Sequence, residues 1–287
     1  MSQRTEDKEA AELRSLVALM DDEDGMVYAT VRERLLSYGP AALGYIHTPE
    51  EQTGLAAQRL REVRDLILRS AIKEQIRGIK RLPNGDVDLE EGVFVLARYR
   101  YWDIDPVLYT EQLNTYAAEL KGTLSSVTEK SELLRRTIAF FVEEKGFNGN
   151  REDYFSDENH HINRVMDTKI GIPITLSVVY LLVGKGINLP IQGIGLPGHF
   201  VLRYTPGPGQ HVYFDPFNSG RILSTADCEE MVRNLGFNFS DEYLQPVSNR
   251  QILERILRNI IVMLEKRQEK ERVETVRQFI DTLNSDL

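Results

Sequence analysis

Apolar positions recur at helical spacing over most of the chain. Leu13, Leu16, Val17 and Met20 form one stripe, and Val27, Val31, Leu35 and Leu36 form a second. Asp21 to Gly25 is the turn between them, and Gly39-Pro40 ends the second helix. The spacing predicts further helices over 55–79, 89–101, 106–120 and 131–145. Pro83-Asn84-Gly85-Asp86 is a turn, and Gly146 closes the last of these helices. Tyr99, Tyr101, Trp102, Tyr109 and Tyr116 fall within or beside these helices, where they are expected to pack into the core.

The pattern changes after Gly146. Residues 148–155 are polar and turn-rich. Gly171-Ile172-Pro173 then opens a strongly apolar helix that Gly186 closes. Proline is tolerated in a first helical turn because its missing N–H has no intrahelical partner there. Short β-type runs follow at 190–194, 199–204 and 211–214, with Pro206-Gly207-Pro208-Gly209 as a hairpin turn. Ser224 is placed to cap a helix running to about Leu235. Residues 250–266 and 268–283 read as a charged helical hairpin. The prediction is an α+β fold in four parts: a helical part at 1–69, a helical bundle at 70–146, a helix-plus-meander core at 147–240 and a C-terminal helical hairpin at 241–287. The first part resembles one HEAT-type repeat, since it places a Val- and Arg-rich helix after a helix and an acidic turn.

Composition narrows the function classes. The chain has 287 residues, 41% of them hydrophobic and 28% charged, with a net charge of −9. A chain this acidic is repelled by a phosphate backbone unless its cations cluster, and Lys266 to Arg272 is interleaved with glutamates; nucleic acid is not an expected partner. The single cysteine, Cys228, allows no intramolecular disulfide and no cysteine-based metal cluster, and it fits a reducing compartment. Met1 to Ala10 is polar and carries no apolar signal-like run. The longest apolar stretch, Ile170 to Val183, includes Thr175, Ser177 and Tyr180 and is too short to span a bilayer. A cytoplasmic protein with no cofactor, no metal and no membrane partner is expected.

Three features could carry chemistry: His199 in a Pro-Gly-His-Phe step, Asp215 one strand later in Tyr-Phe-Asp-Pro, and the helix start at Gly171. Adjacent strands can bring His199 beside Asp215, where a carboxylate on one ring nitrogen would fix the tautomer and aim the other nitrogen. A nucleophile at the start of the preceding helix would gain from the positive end of its dipole. That is the logic of a papain-like triad.

The stretch from Asn159-x3-Asn163 through Gly171-Ile-Pro-Ile-Thr-Leu-Ser, then Gly193 to Tyr204, then Phe-Asp-Pro-Phe at 214–217, resembles the SirB-type regulator family of the transglutaminase-like superfamily. The resemblance runs from about Leu89 to Gly220. It implies a transglutaminase-like core, with a tetratricopeptide-like part at the C-terminus. By position, His199 matches the superfamily's catalytic histidine and Asp215 its aspartate. The catalytic cysteine would lie two residues past the glycine that starts the helix, and that position is Pro173. The thiol mechanism is therefore lost.

Other side chains are candidates to replace the thiol. A helix advances about 100° per residue, so Ser177 roughly shares the face of Pro173 but lies about 6 Å deeper, whereas Thr175 points away. Both hydroxyls are expected to bond a carbonyl one turn earlier. Cys228 follows Asp215 in the chain and is expected to be a semi-buried structural thiol on a surface helix. His160 and His161, with Asp157 or His199, invite a metal reading, but adjacent helical residues diverge by about 100°; a solvated or capping role is expected. Asn159 and Asn163, four apart, are expected to share a helical face and tie loops together. His211 and His47 are expected at the surface.

The resulting expectation is a non-catalytic binding or regulatory protein. Its groove, lined by Pro173, His199 and Asp215, would accept a protein or peptide partner. The alternative is an amide hydrolase or acyltransferase that uses Ser177 or a water activated by His199.

Overall fold

The computed structural model describes residues 3–46 and 53–285. The chain divides into two units, Met1–Arg77 and Gly78–Leu287. In the first, α1 (Gln3–Ala18) packs on α2 (Gly25–Tyr38), and α3 (Leu55–Gly78) follows. Asp24 caps α2, its carboxylate accepting from the Met26 amide at 2.7 Å. Glu62 of α3 accepts from Tyr28 and Arg32 of α2, and Arg59 donates to the Met20 and Asp22 carbonyls.

The second unit begins with α4 (Leu89–Arg98), α5 (Pro106–Leu124) and α6 (Lys130–Ala139). Asp88 and Asp105 cap α4 and α5 through side-chain bonds to backbone amides. The helix expected to reach residue 145 changes at Phe140 into a wider π turn, Phe140–Glu144, which coincides with two consecutive fully buried rings, Phe140 and Phe141. Two-residue strands β1 (Asn148–Gly149) and β2 (Ile170–Gly171) pair in parallel around α7 (Ile162–Thr168).

Next comes α8 (Pro173–Gly186), buried along almost its whole length. The four strands after it are β3 (Ile191–Ile194), β4 (Val201–Gly207), β5 (Gln210–Asp215) and β6 (Arg221–Leu223). They form an antiparallel sheet in sequential order. Leu202 lies opposite Phe214 and Arg203 opposite Tyr213, a register that runs on toward His199 and Asp215. One face of the sheet meets α8, where Tyr180 lies 3.8 Å from the Phe141 ring and 5.9 Å from Phe214, centroid to centroid. The other face joins Val201, Tyr213 and Leu223 to Cys228 and Val232 of α9 (Thr225–Asn234). Ser224 caps α9 as the sequence suggests. The last two helices, α10 (Asn249–Lys266) and α11 (Lys270–Asn284), pack on each other, and α10 also lies on α4. That crossing is close: a Cβ on Gly92 would sit 2.4 Å from a Leu253 methyl.

The architecture is thus mixed helix and sheet, with a helix-plus-meander core flanked by helical regions. No helix among the described residues is long and apolar enough to cross a membrane.

Candidate functional site

The turn carrying His199 is built by its own sequence. In Leu196-Pro197-Gly198-His199, the His199 amide donates to the Leu196 carbonyl at 3.1 Å. Proline suits the second position of such a turn, and the third needs a positive φ, which Gly198 supplies at +69°. Leu235, at the end of α9, closes over this glycine so tightly that a Cβ there would lie 2.4 Å from a leucine methyl.

His199 Nε2 lies 2.7 Å from Asp215 Oδ2. The carboxylate also caps the short turn Pro216–Asn218: Oδ1 accepts from the Phe217 and Asn218 amides at 3.0 and 3.3 Å, and Oδ2 from Asn218 Nδ2 at 2.6 Å. Asn218 is held in turn by Arg151, which donates to its Oδ1 at 2.6 Å. Burial alone would push the Asp215 carboxyl up, but the His199 bond and charge and the Asn218 donors outweigh it and hold the group below its ordinary value. An ionised carboxylate is acceptor-only, so Nε2 carries a proton toward it, and in the neutral ring Nδ1 is then the nitrogen with the lone pair. The Asp215 side chain is 2% exposed, whereas that of His199 is 14% exposed. The pair thus presents a partly open imidazole, backed by a buried carboxylate and flanked edge-on by Phe217.

The start of α8 offers no counterpart. Pro173 is its first residue and has no nucleophilic group. The Thr175 hydroxyl donates to the Asn159 carbonyl at 2.8 Å and accepts from the Ile172 amide at 3.2 Å. The Ser177 hydroxyl is fully buried and donates to the Pro173 carbonyl at 2.7 Å. Asn159 does tie loops together: its amide donates to the Asp153 and Tyr154 carbonyls and its Oδ1 accepts from Asn150. It does not share a helical face with Asn163, however. Asn159 lies in a 3-10 turn, Asp157–His160, and Asn163 in α7, where its buried Oδ1 has no partner among the described residues.

Other expectations need correction. His160 and His161 are not solvated: they are 3% and 2% exposed. His161 Nε2 lies 3.3 Å from Asp157 Oδ1, and the other oxygen of Asp157 accepts from Arg100 at 2.7 Å. Neither ring nitrogen of His160 has a partner among the described residues, and burial, then the neighbouring His161, lowers its pKa to about 4. Cys228 is not on a surface helix face but wholly buried between α9 and the sheet, where burial pushes its thiol up to about 11. His211 is exposed and within 3.1 Å of the Thr205 hydroxyl, while His47 lies outside the described residues. Among the described residues no group of three or more His, Cys, Asp or Glu gathers as a metal-binding cluster.

Sequence reasoning missed Asn218 and Arg255. Asn218 had a signal, because an Asp two or three residues before a turn residue can cap it. Arg255 had a fainter one: it sits three residues after Ile252, within the apolar stripe of α10.

Comparisons with known proteins place the chain in a family. A UPF0162 protein of Xylella fastidiosa is 31% identical over 172 residues, which are 58% of this chain and 61% of that one. A UPF0162 protein of Vibrio cholerae is 30% identical over 178 residues, 60% of this chain and 64% of the other. F-box only protein 21 of Mus musculus is 25% identical over 154 residues, 51% of this chain but 24% of its own length. The chain thus spans under two thirds of the length of these relatives. No solved structure matches it. The profile of the transglutaminase-like superfamily covers residues 108–258, more than half of the chain and all of the elements that carry Pro173, His199 and Asp215. The chain belongs to the transglutaminase-like superfamily.

Proposed function

We propose that this chain is a non-catalytic transglutaminase-like protein of the SirB-type regulator kind, whose His199–Asp215 site binds a segment of a protein or peptide partner in the cytoplasm. The observation that carries the reading is the start of α8: proline stands where the thiol would be, and the two nearby hydroxyls are engaged by the Asn159 and Pro173 carbonyls. A nucleophile must lie within hydrogen-bond reach of its base, and Cys228, buried with a raised pKa, is no substitute. Asn159 serves this site from behind, holding the loops around the start of α8, while Asn163 lies buried beside it in α7. The helical parts at 1–69 and 241–287, read as HEAT-like and tetratricopeptide-like, suit a protein partner, because stacked helical hairpins present extended faces. The recurrence of the segment within a quarter of the much longer F-box only protein 21 fits a module that works inside larger assemblies.

One observation favours a second reading. The imidazole keeps its orienting carboxylate on Nε2, which in the neutral ring leaves the Nδ1 lone pair for a general base acting on water. A single experiment separates the two. The chain and its His199→Ala variant are incubated with a panel of peptides, amides and esters, and both are used as bait for binding partners. Absence of turnover, with a partner lost on the substitution, supports the binding role. Turnover that disappears with His199 overturns it in favour of a hydrolase or acyltransferase.

A further inference from the structure

The His199 turn is held from outside the sheet by one cation. Arg255, from the middle of α10, donates through Nη2 to the Leu196 carbonyl and to the His199 carbonyl, both at 2.7 Å. These are the first and last residues of the turn. The guanidinium also lies over the Phe200 ring, 5.6 Å from its centroid, and its Nη1 comes so close to Gly195 that a Cβ there would be 3.2 Å away. Residues 195, 196, 199 and 200 are thus gathered around a single side chain. Burial depresses the Arg255 pKa, with the Tyr154 hydroxyl opposing it, and the oxygens that its Nη2 meets are backbone carbonyls.

Such a group is costly to place, since desolvating a cation is repaid only by good geometry. A turn of this kind would already close with its own backbone bond and its Pro-Gly pair. The extra donor does something that bond cannot: it fixes the carbonyl of His199 itself and with it the direction in which the imidazole leaves the chain. We infer that Arg255 is the positioning residue of the site, holding His199 so that its Nε2–H meets Asp215, and that α10 is therefore the element through which the helical C-terminal hairpin acts on the pair. The inference rests on the reading of His199 and Asp215 as the functional pair, but its test needs neither ligand nor turnover.

The test is nitrogen-detected NMR of the imidazole N–H groups in the full chain, with the His199 signal assigned by its loss in His199→Gln. The variants are Arg255→Met, which keeps the stem but removes the donors, and Arg255→Lys, which keeps a charge with fewer fixed donors. Arg258→Met, one turn on and paired at the surface with Glu254, is the control. The unaltered chain and the control should show a hydrogen-bonded His199 Nε2 proton protected from exchange. In Arg255→Met the protection should fall by about tenfold or more. The Asp215 carboxyl should then titrate at higher pH, because burial would no longer be opposed by the imidazole. Arg255→Lys should give an intermediate signal. The His161–Asp157 signals should stay unchanged, which shows that the fold is intact. Full protection of the His199 proton in Arg255→Met overturns the assignment. If that variant does not fold, Arg255→Lys decides: partial loss supports the assignment and protection equal to the unaltered chain overturns it.

Discussion

Two histidine–carboxylate pairs, one buried and one partly open, stand in the same unit, and they are built for different ends. In His161–Asp157 the ring is 2% exposed, the contact is 3.3 Å, and the other carboxylate oxygen is occupied by Arg100. Everything about this pair faces protein. In His199–Asp215 the contact is 2.7 Å, the carboxylate is capped by backbone amides of its own turn, and the ring keeps an open edge. Residue type alone does not distinguish them, since each is a His and an Asp near apolar segments. The distinction lies in what the second carboxylate oxygen does: a guanidinium makes Asp157 part of a buried ionic network, whereas backbone caps leave Asp215 free to orient one imidazole.

If the first pair is structural, removing its carboxylate should be the costlier change. Asp157→Ala leaves His161 without its Nε2 partner and takes a carboxylate from Arg100. Breaking a buried ionic network in this way costs about 3–4 kcal/mol, toward the low end because the Arg100 side chain is a third exposed. The urea midpoint should fall accordingly. A loss under about 1 kcal/mol, within the range of surface pairs, would erase the contrast between the two sites.

The same region should impose a pH dependence. His160 is native only as the neutral ring: burial and the neighbouring His161 lower its pKa from the ordinary 6.5 to about 4. The unfolded chain therefore binds the proton first. Stability is fully present above about pH 6.5, falls as the pH drops toward 4, and levels off below. The difference amounts to roughly 3 kcal/mol. Asp157, His161 and Arg267 face this ring, and the first opposes the shift while the other two add to it. Asp157 and Asp215, both held below 3.8, add their own loss only at lower pH, as they are protonated. Denaturation curves for the chain and for His160→Leu should diverge between pH 6.5 and 4, with the variant losing the slope. A variant that keeps it would place the titration elsewhere.

Much of this was legible in the sequence, and the illegible parts have physical reasons. Helices α4 to α6 and α8 to α11 follow from spacing, caps and the Pro173 start, whereas α7, seven residues long, does not, and the meander follows from three apolar runs around a Pro-Gly turn. The strands β1, β2 and β6 are two or three residues long, too short for an alternation to show. The burial of His160 and His161 was missed because a 3-10 turn passes into α7 between them, so they do not diverge as two residues of one regular helix would. Arg255 was missed because an arginine in a charged amphipathic helix reads as surface. Its contacts are with carbonyls nearly sixty residues earlier, and carbonyls leave no mark on a sequence.

The second pair is sharpened by Asp215→Asn. The amide keeps the shape and one oxygen for the backbone caps, so the cost should be about 1–2 kcal/mol. Its NH2 group can now meet Nε2 only as a donor, which moves the imidazole proton to Nδ1. Imidazole NMR should report the exchanged tautomer, and any partner that bonds to Nδ1 as an acceptor should be released. An unchanged tautomer would mean that Asp215 does not orient the ring.

Ser177→Ala is the smallest expected change and the most direct on the question of chemistry. The hydroxyl is fully buried, and its bond runs to a carbonyl of its own helix. That carbonyl still has its regular helical donor after the substitution, and alanine favours a helix interior. The stability change should stay under about 1 kcal/mol, and partner binding should be untouched. A hydroxyl that instead served His199 would betray itself differently. Any turnover on the peptide and ester panel would vanish in Ser177→Ala while the melting temperature held, and the pair at 2.7 Å would then be two members of an active triad.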